Sequence, residues 1–121
     1  MDEKEEKGSF YKLIMKNLLP SLRESNRYIG FEITSNKQLN EMEARKGLEK
    51  EIMGFLGSLE LAKSSFKLIN FHKNKGIIKV DRKYLNKMKA VLSLIKEIEN
   101  NKVMVKSLTV SGILKKVKSR L

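Results

Sequence analysis

From Lys102 onward the chain carries six basic side chains, Lys102, Lys106, Lys115, Lys116, Lys118 and Arg120, and no carboxylate to offset them. Such a run suits one chemistry above others: it neutralises phosphates and releases the counterions condensed on a polyanion. Arg23 and Arg27 near the start, and Lys73 and Lys75 about a short central turn, offer the same chemistry. Lys and Arg number 26 in all against 14 Asp and Glu, a formal charge of +12. Much of the acid is spent in the opening residues (Asp2, Glu3, Glu5 and Glu6), so the remainder is more basic than the total implies. The candidate phosphate contacts are therefore Arg23, Arg27, Lys115, Lys116, Lys118 and Arg120, with Lys73 and Lys75 beside them. Ser111 and Gly112 would open a terminal helix whose free amides can also meet a phosphate. The plain alternatives are a strand-to-helix turn for that pair and solubility for the lysines.

Other chemistries find little material. There is no cysteine, hence no disulfide, thiolate metal site or cysteine nucleophile. His72 is the only histidine and has no partner constellation for general-base work. Two-metal phosphodiester hydrolysis needs clustered carboxylates, whereas the acids here alternate with lysines, as in Glu49-Lys50-Glu51 and Lys96-Glu97. Glu32 and Asp81 alone lie near expected strands, and Asp81 is placed to cap a helix. Gly54 and Gly57 meet neither Walker nor dinucleotide spacing. The residues thus lead us to expect no catalytic residue and no metal or cofactor bound by the protein. Tyr28-Ile29-Gly30-Phe31-Glu32 offers one outward tyrosine, short of an aromatic base-stacking platform, so RNA binding by shape and phosphate contact is expected.

Positioning these side chains falls to a chain of 121 residues, enough for one domain and one core. Residues 1–18 read as a charged leader and short helix, with Ser9 as cap, Phe10, Ile14 and Leu18 at helical spacing, Pro20 as stop, and Met15 as a second candidate start. Residues 19–121 form the single α/β domain. No apolar run approaches the ~18 residues that span a bilayer, and the opening lacks a signal-peptide apolar region. A soluble, cytoplasmic protein without membrane contact is expected.

Alternation of Ile29, Phe31 and Ile33 predicts a strand over 27–35. Asn40 and Glu43 form a capping-box pattern before a helix over 41–55, whose inner side would carry Ala44, Leu48, Ile52, Phe55, Leu56 and Leu59, with a fray or turn at Gly54 and Gly57. A second strand follows over 66–72. Lys73-Asn74-Lys75-Gly76 has hairpin-turn chemistry, and a third strand returns over 77–80. Asp81 caps a helix over 82–99 with Tyr84, Leu85, Met88, Val91, Leu92, Ile95 and Ile98 on one side, ended by Asn100-Asn101. A last strand spans 102–110. In the terminal helix Ile113, Leu114, Val117 and Leu121 would face inward. The order β-α-β-β-α-β is ferredoxin-like, an α+β sandwich of an antiparallel sheet with two helices on one face, plus extra N- and C-terminal helices. Both faces of the last strand carry apolar residues, so terminal helices, a partner or RNA should cover the second face.

Two segments carry a more specific signal. Leu19-Pro20-Ser21-Leu22-Arg23-Glu24-Ser25-Asn26-Arg27-Tyr28-Ile29-Gly30-Phe31-Glu32-Ile33 resembles the opening "LPPTLR…RRYIAFE" stretch of the archaeal ribonuclease P protein component two, the Pop-five homologue family. Leu108-Thr109-Val110-Ser111-Gly112-Ile113-Leu114-Lys115 is similar to its closing "LGVSGTIK" segment. Between them, Gly76-Ile77-Ile78-Lys79 with Arg82 matches the family's hairpin, and the Ala90-Val91-Leu92-Ser93-Leu94-Ile95 helix falls in place. The chain departs from the pattern at Ser21, where the family has a second proline, and at Ile113, where it has threonine. The resemblance implies an α/β-sandwich subunit of the ribonucleoprotein that removes 5′ leaders from precursor tRNA. In that family, ribonuclease P RNA and Mg²⁺ form the catalytic site. The protein supports the RNA's catalytic domain and pairs with an Rpp-thirty-type subunit, typically as a two-plus-two heterotetramer. The enzyme would then be the assembly, with no active site in this chain. The competing class is a protein-interaction adaptor of ferredoxin-like fold; a small-molecule regulatory domain lacks its Gly-rich effector loop.

Overall fold

The computed structural model describes residues 25–121. Arg23 and the expected leader and helix over 1–18 lie outside the described residues. Strand β1 (Asn26–Ser35) buries Ile29, Phe31 and Ile33 on one face, as its alternation requires. Helix α1 (Glu41–Leu56) starts at a complete capping box: Asn40 Oδ1 accepts from the Glu43 N–H at 2.8 Å, and Glu43 Oε1 accepts from the Asn40 N–H at 3.3 Å. Lys37 Nζ lies 3.0 Å from Glu43 Oε2. The Lys37 hydrogen bond, then the Asn40 N–H, hold the Glu43 carboxyl below its ordinary 4.5.

At Gly57 the backbone turns to φ +82°, which ends α1 and starts the short helix α2 (Ser58–Lys63). Strands β2 (Lys67–His72) and β3 (Lys75–Asp81) form a hairpin. Its two turn residues, Lys73 and Asn74, both take positive φ (52° and 61°), as a two-residue turn matched to strand twist demands. Asp81 accepts from the Lys83 N–H at 2.9 Å and caps a 3₁₀ turn (Arg82–Tyr84) leading into helix α3 (Leu85–Leu94). Strand β4 (Glu97–Ile98), strand β5 (Asn101–Ser111) and helix α4 (Leu114–Arg120) complete the chain.

The fold is α+β, with an antiparallel sheet in the order β2-β3-β1-β5-β4. Its four long strands and the helices between them realise the ferredoxin-like order. Helices α1 and α3 cover one face, where Ile29, Phe31, Ile33, Leu48, Ile52, Met88 and Leu92 close the core.

Three expectations need correction. The helix over 82–99 is three pieces: a 3₁₀ turn, ten residues of α3, and after Ile95 an extended segment that makes β4. Ile95 and Ile98 are buried as expected, but from extended backbone. Ile98 enters the core at Gly47 of α1, where a Cβ would fall inside the Ile98 side chain. Phe55 and Leu59 do not line the core; they are 49% and 67% exposed: Phe55 lies in the last turn of α1, past Ile52, the last residue that the helix buries, and Leu59 falls after the Gly57 break on α2, which buries none of its residues. Ile113 is 52% exposed: it is the extended residue before α4, so the helical inward direction does not apply to it.

Candidate nucleic-acid interface

The sheet's second face is built in rows, one residue from each strand. Registers align Lys67, Lys79, Tyr28 and Ser111 in one row, and Asn70, Ile77, Gly30 and Thr109 in the next. A third row aligns His72, Lys75, Glu32 and Lys106, and Thr34 pairs with Met104 beyond it. A bulge between Gly30 and Phe31 in the β1–β5 pairing leaves Leu108 as the extra residue.

Helix α4 lies across the middle row. A Cβ on Gly30 would come within 2.8 Å of Thr109 Cγ2, 3.0 Å of Val117 Cγ1 and 3.1 Å of Leu121 Cδ2. The missing side chain at Gly30 therefore lets α4 seat directly on the sheet, burying Val117 fully and sealing Ile77. Arg120 Nη1 donates to Thr109 Oγ1 at 3.1 Å, which ties the helix to β5. The terminal helix thus covers part of the second face. Met104 and Leu108 on β5 stay exposed.

Between α4 and the β2–β3 hairpin runs an open groove of about 470 Å³, lined by Asn70, His72, Lys73, Lys75, Ile77, Lys118 and Leu121. Lys73, Lys75 and Lys118, far apart in sequence, share this one groove. Their hairpin is fixed by Asn74, whose Oδ1 accepts from the Leu39 N–H at 2.9 Å and whose carbonyl accepts from the Ile33 N–H at 2.7 Å. That anchorage limits the freedom of the flanking lysines' backbone. Lys75 Nζ is 3.8 Å from Glu32 Oε2, with both side chains nearly half exposed, so solvent screens the pair.

The other expected contacts sit elsewhere. Lys115 and Lys116 are exposed on α4 outside the groove lining. Arg27 is half-buried at the other end of β1, its Nη1 donating to the Asn26 carbonyl at 2.9 Å and lying 3.1 Å from where a Gly112 Cβ would be. Arg27, Ser111 and Gly112 thus share one corner. Ser111 Oγ accepts from the Ile113 N–H at 3.1 Å, so that amide is occupied, and seven residues make α4 a weak dipole. Ser111 and Gly112 make the turn from β5 into α4.

Sequence reasoning missed Asn70, Ile77, Lys67 and Lys79 as members of this face, and named Lys106 only within the basic run and Leu121 only as an inward residue of the terminal helix. The available signal was period two: Lys75 and Lys79 alternate on β3, and Lys102 and Lys106 lie four apart on β5, sharing one face. Among the described residues the acids lie mostly off this face. Glu41, Glu43, Glu49 and Glu51 ride on α1, Glu60 on α2, and Glu97 and Glu99 at the β4 end, leaving Glu32 as the carboxylate in the middle of the sheet's second face. Among the described residues no three His, Cys, Asp or Glu side chains gather to hold a metal ion. No helix among them is long and apolar enough to cross a membrane.

The family model described as Rpp14/Pop5 family matches residues 27–121. The chain belongs to this family. Ribonuclease P protein component 2 of Pyrococcus furiosus is 36% identical over 107 residues, covering 87% of this chain and 89% of that protein. The proteins of the same name from Thermococcus gammatolerans and Archaeoglobus fulgidus are 34% and 32% identical, over 87% and 88% of this chain and 89% and 96% of theirs. A chain in a cryo-EM structure of yeast ribonuclease MRP superposes with a TM-score of 0.63 at 14% identity, covering 74% of this chain and 75% of that one. It shares the fold. This Rpp14/Pop5 member combines an α+β scaffold with a basic second face.

Proposed function

We propose that this chain is a protein subunit of ribonuclease P, the ribonucleoprotein that removes 5′ leaders from precursor tRNA. The observation that carries the reading is the charge of the second sheet face: lysines from β2, β3, β5 and α4 meet there, and among the described residues Glu32 is the carboxylate in its middle. Membership of the Rpp14/Pop5 family supplies the assembly in which such a face has work to do. In this reading the basic face lies on the ribonuclease P RNA and offsets repulsion between its phosphates. The RNA then holds its Mg²⁺-binding catalytic shape, and the protein contributes position and charge only. An Rpp-thirty-type subunit in a two-plus-two heterotetramer is the partner we propose, and the cytoplasm the compartment.

The test is reconstitution with the cognate RNA and partner subunit. Replacing Lys73, Lys75 and Lys118 together by Ala should flatten the plot of log affinity against log salt by roughly 2, since each phosphate contact contributes about 0.7–0.9. Precursor cleavage at low Mg²⁺ should slow in parallel. A chain that acted only as a protein adaptor would show no steep salt slope before or after the change.

A further inference from the structure

We infer that the groove between α4 and the β2–β3 hairpin is a seat for one unpaired nucleotide of the bound RNA, an inference that rests on the proposed RNA-binding role. Phosphates alone would need only protruding cations, such as Lys115 and Lys116 on the outer side of α4. This groove is different in kind. It is concave, and at about 470 Å³ it falls within the roughly 300–1,000 Å³ usual for small-ligand sites. Its apolar surface comes from Leu121, half-buried at the end of α4, with the buried Ile77 of β3 behind it.

The remaining lining residues complete the chemistry of a nucleotide. Lys73, Lys75 and Lys118 supply positive charge from both walls, two from the hairpin and one from the helix. That is where the phosphates on either side of an extruded residue would run. Asn70 presents an amide that can both donate and accept, the pairing that a base edge requires. His72 adds a flat ring at the hairpin edge, a surface of the type on which unpaired bases stack. One aliphatic side chain, a cationic rim and one amide suit a base with its phosphates, and suit a stacked duplex poorly, because its bases are not available to them.

The experiment uses the full chain and measures its affinity for three probes by anisotropy at several salt concentrations: an unstructured oligonucleotide, a duplex of equal length, and a nucleoside 5′-monophosphate. The oligonucleotide should bind more tightly than the duplex. Asn70→Ala with Leu121→Ala, a charge-neutral change, should weaken the oligonucleotide roughly tenfold, the loss expected for one base contact. For Asn70→Ala without the Leu121 change, the salt slope and the duplex affinity should be unchanged. Asn70→Ala alone, at an exposed position, guards against an effect of Leu121 on helix seating and should weaken the oligonucleotide in the same sense. Lys73→Ala with Lys75→Ala should weaken both RNAs and flatten both slopes. Equal oligonucleotide and duplex affinities, with no effect of the neutral variants, would overturn the nucleotide seat and leave the RNA-binding role standing. Monophosphate binding as tight as the oligonucleotide would overturn it in favour of a free nucleotide. No binding of either RNA would remove both readings.

Discussion

Gly30→Val tests whether the position of α4 on the sheet governs the basic groove. A Cβ alone would stand 2.8–3.1 Å from Thr109, Val117 and Leu121, closer than side-chain carbons ordinarily approach, and valine adds two methyls in the same space. Overpacking of this kind costs about 1–3 kcal/mol. The site has two ways to relieve it. The sheet cannot yield easily, because Gly30 is paired on both sides, with Ile77 and Thr109. The helix can. Seven residues form no stable helix alone, and α4 is held chiefly by burial of Val117, about 1.5–3 kcal/mol for a branched side chain, with help from Leu121 and the Arg120–Thr109 hydrogen bond. Cost and holding energy are of similar size, so α4 should lift while the sheet and its helix layer remain folded. Hydrogen exchange followed residue by residue is the assay. Amides of α4 should lose their protection while those of β1, β3 and α1 keep theirs, and RNA affinity should fall because Lys118 leaves the groove it shares with Lys73 and Lys75. Unchanged protection in α4, or undiminished RNA affinity with α4 lifted, would refute the reasoning.

Gly47→Ala places a methyl inside Ile98 and should lower stability by about 1–3 kcal/mol despite alanine's better helix propensity; in an Ile98→Ala background, which removes the clashing Cγ2, a denaturant titration should show that penalty shrinking. Asn74→Ala removes the acceptor for the Leu39 N–H and a residue suited to positive φ, and should cost about 1–3 kcal/mol while broadening the Lys73 and Lys75 resonances. Glu43 has a carboxyl held below 4.5 by Lys37 and the Asn40 N–H. Its contribution is therefore complete above that ordinary value and fades as pH falls through the lowered one. Glu43→Gln should reduce stability at neutral pH and converge on the parent in acid, as read from pH-dependent unfolding.

Local chemistry was the legible part of this fold. Asn40 with Glu43, Asp81, and the hairpin turn each fix a boundary through groups within three residues of one another; the structure has the capping box, puts Asp81 at the head of a 3₁₀ turn, and narrows the turn expected over 73–76 to Lys73 and Asn74. The error at 95–99 arose where two geometries share one pattern. Ile95 and Ile98, three apart, suit an inward helix face, yet both reach the core from extended backbone, and Glu99 and Asn100 turn at φ 49° and 65° into β5. What selects the strand is distant: the space above Gly47 admits Ile98 only because another helix lacks a side chain there.

The site was legible as a composition and not as a place. Nothing near Lys118 in sequence points to Lys73 or Lys75; register and the seat of α4 over Gly30 bring them together. Glycine is the residue that a search for charged chemistry passes over, yet here it sets the distance between helix and sheet on which the charge arrangement depends. A basic protein of this composition with a β-branched residue at position 30 would keep the same net charge and the same core, and lose the groove. The proposed phosphate-binding surface therefore rests on the close packing beneath it as much as on its lysines.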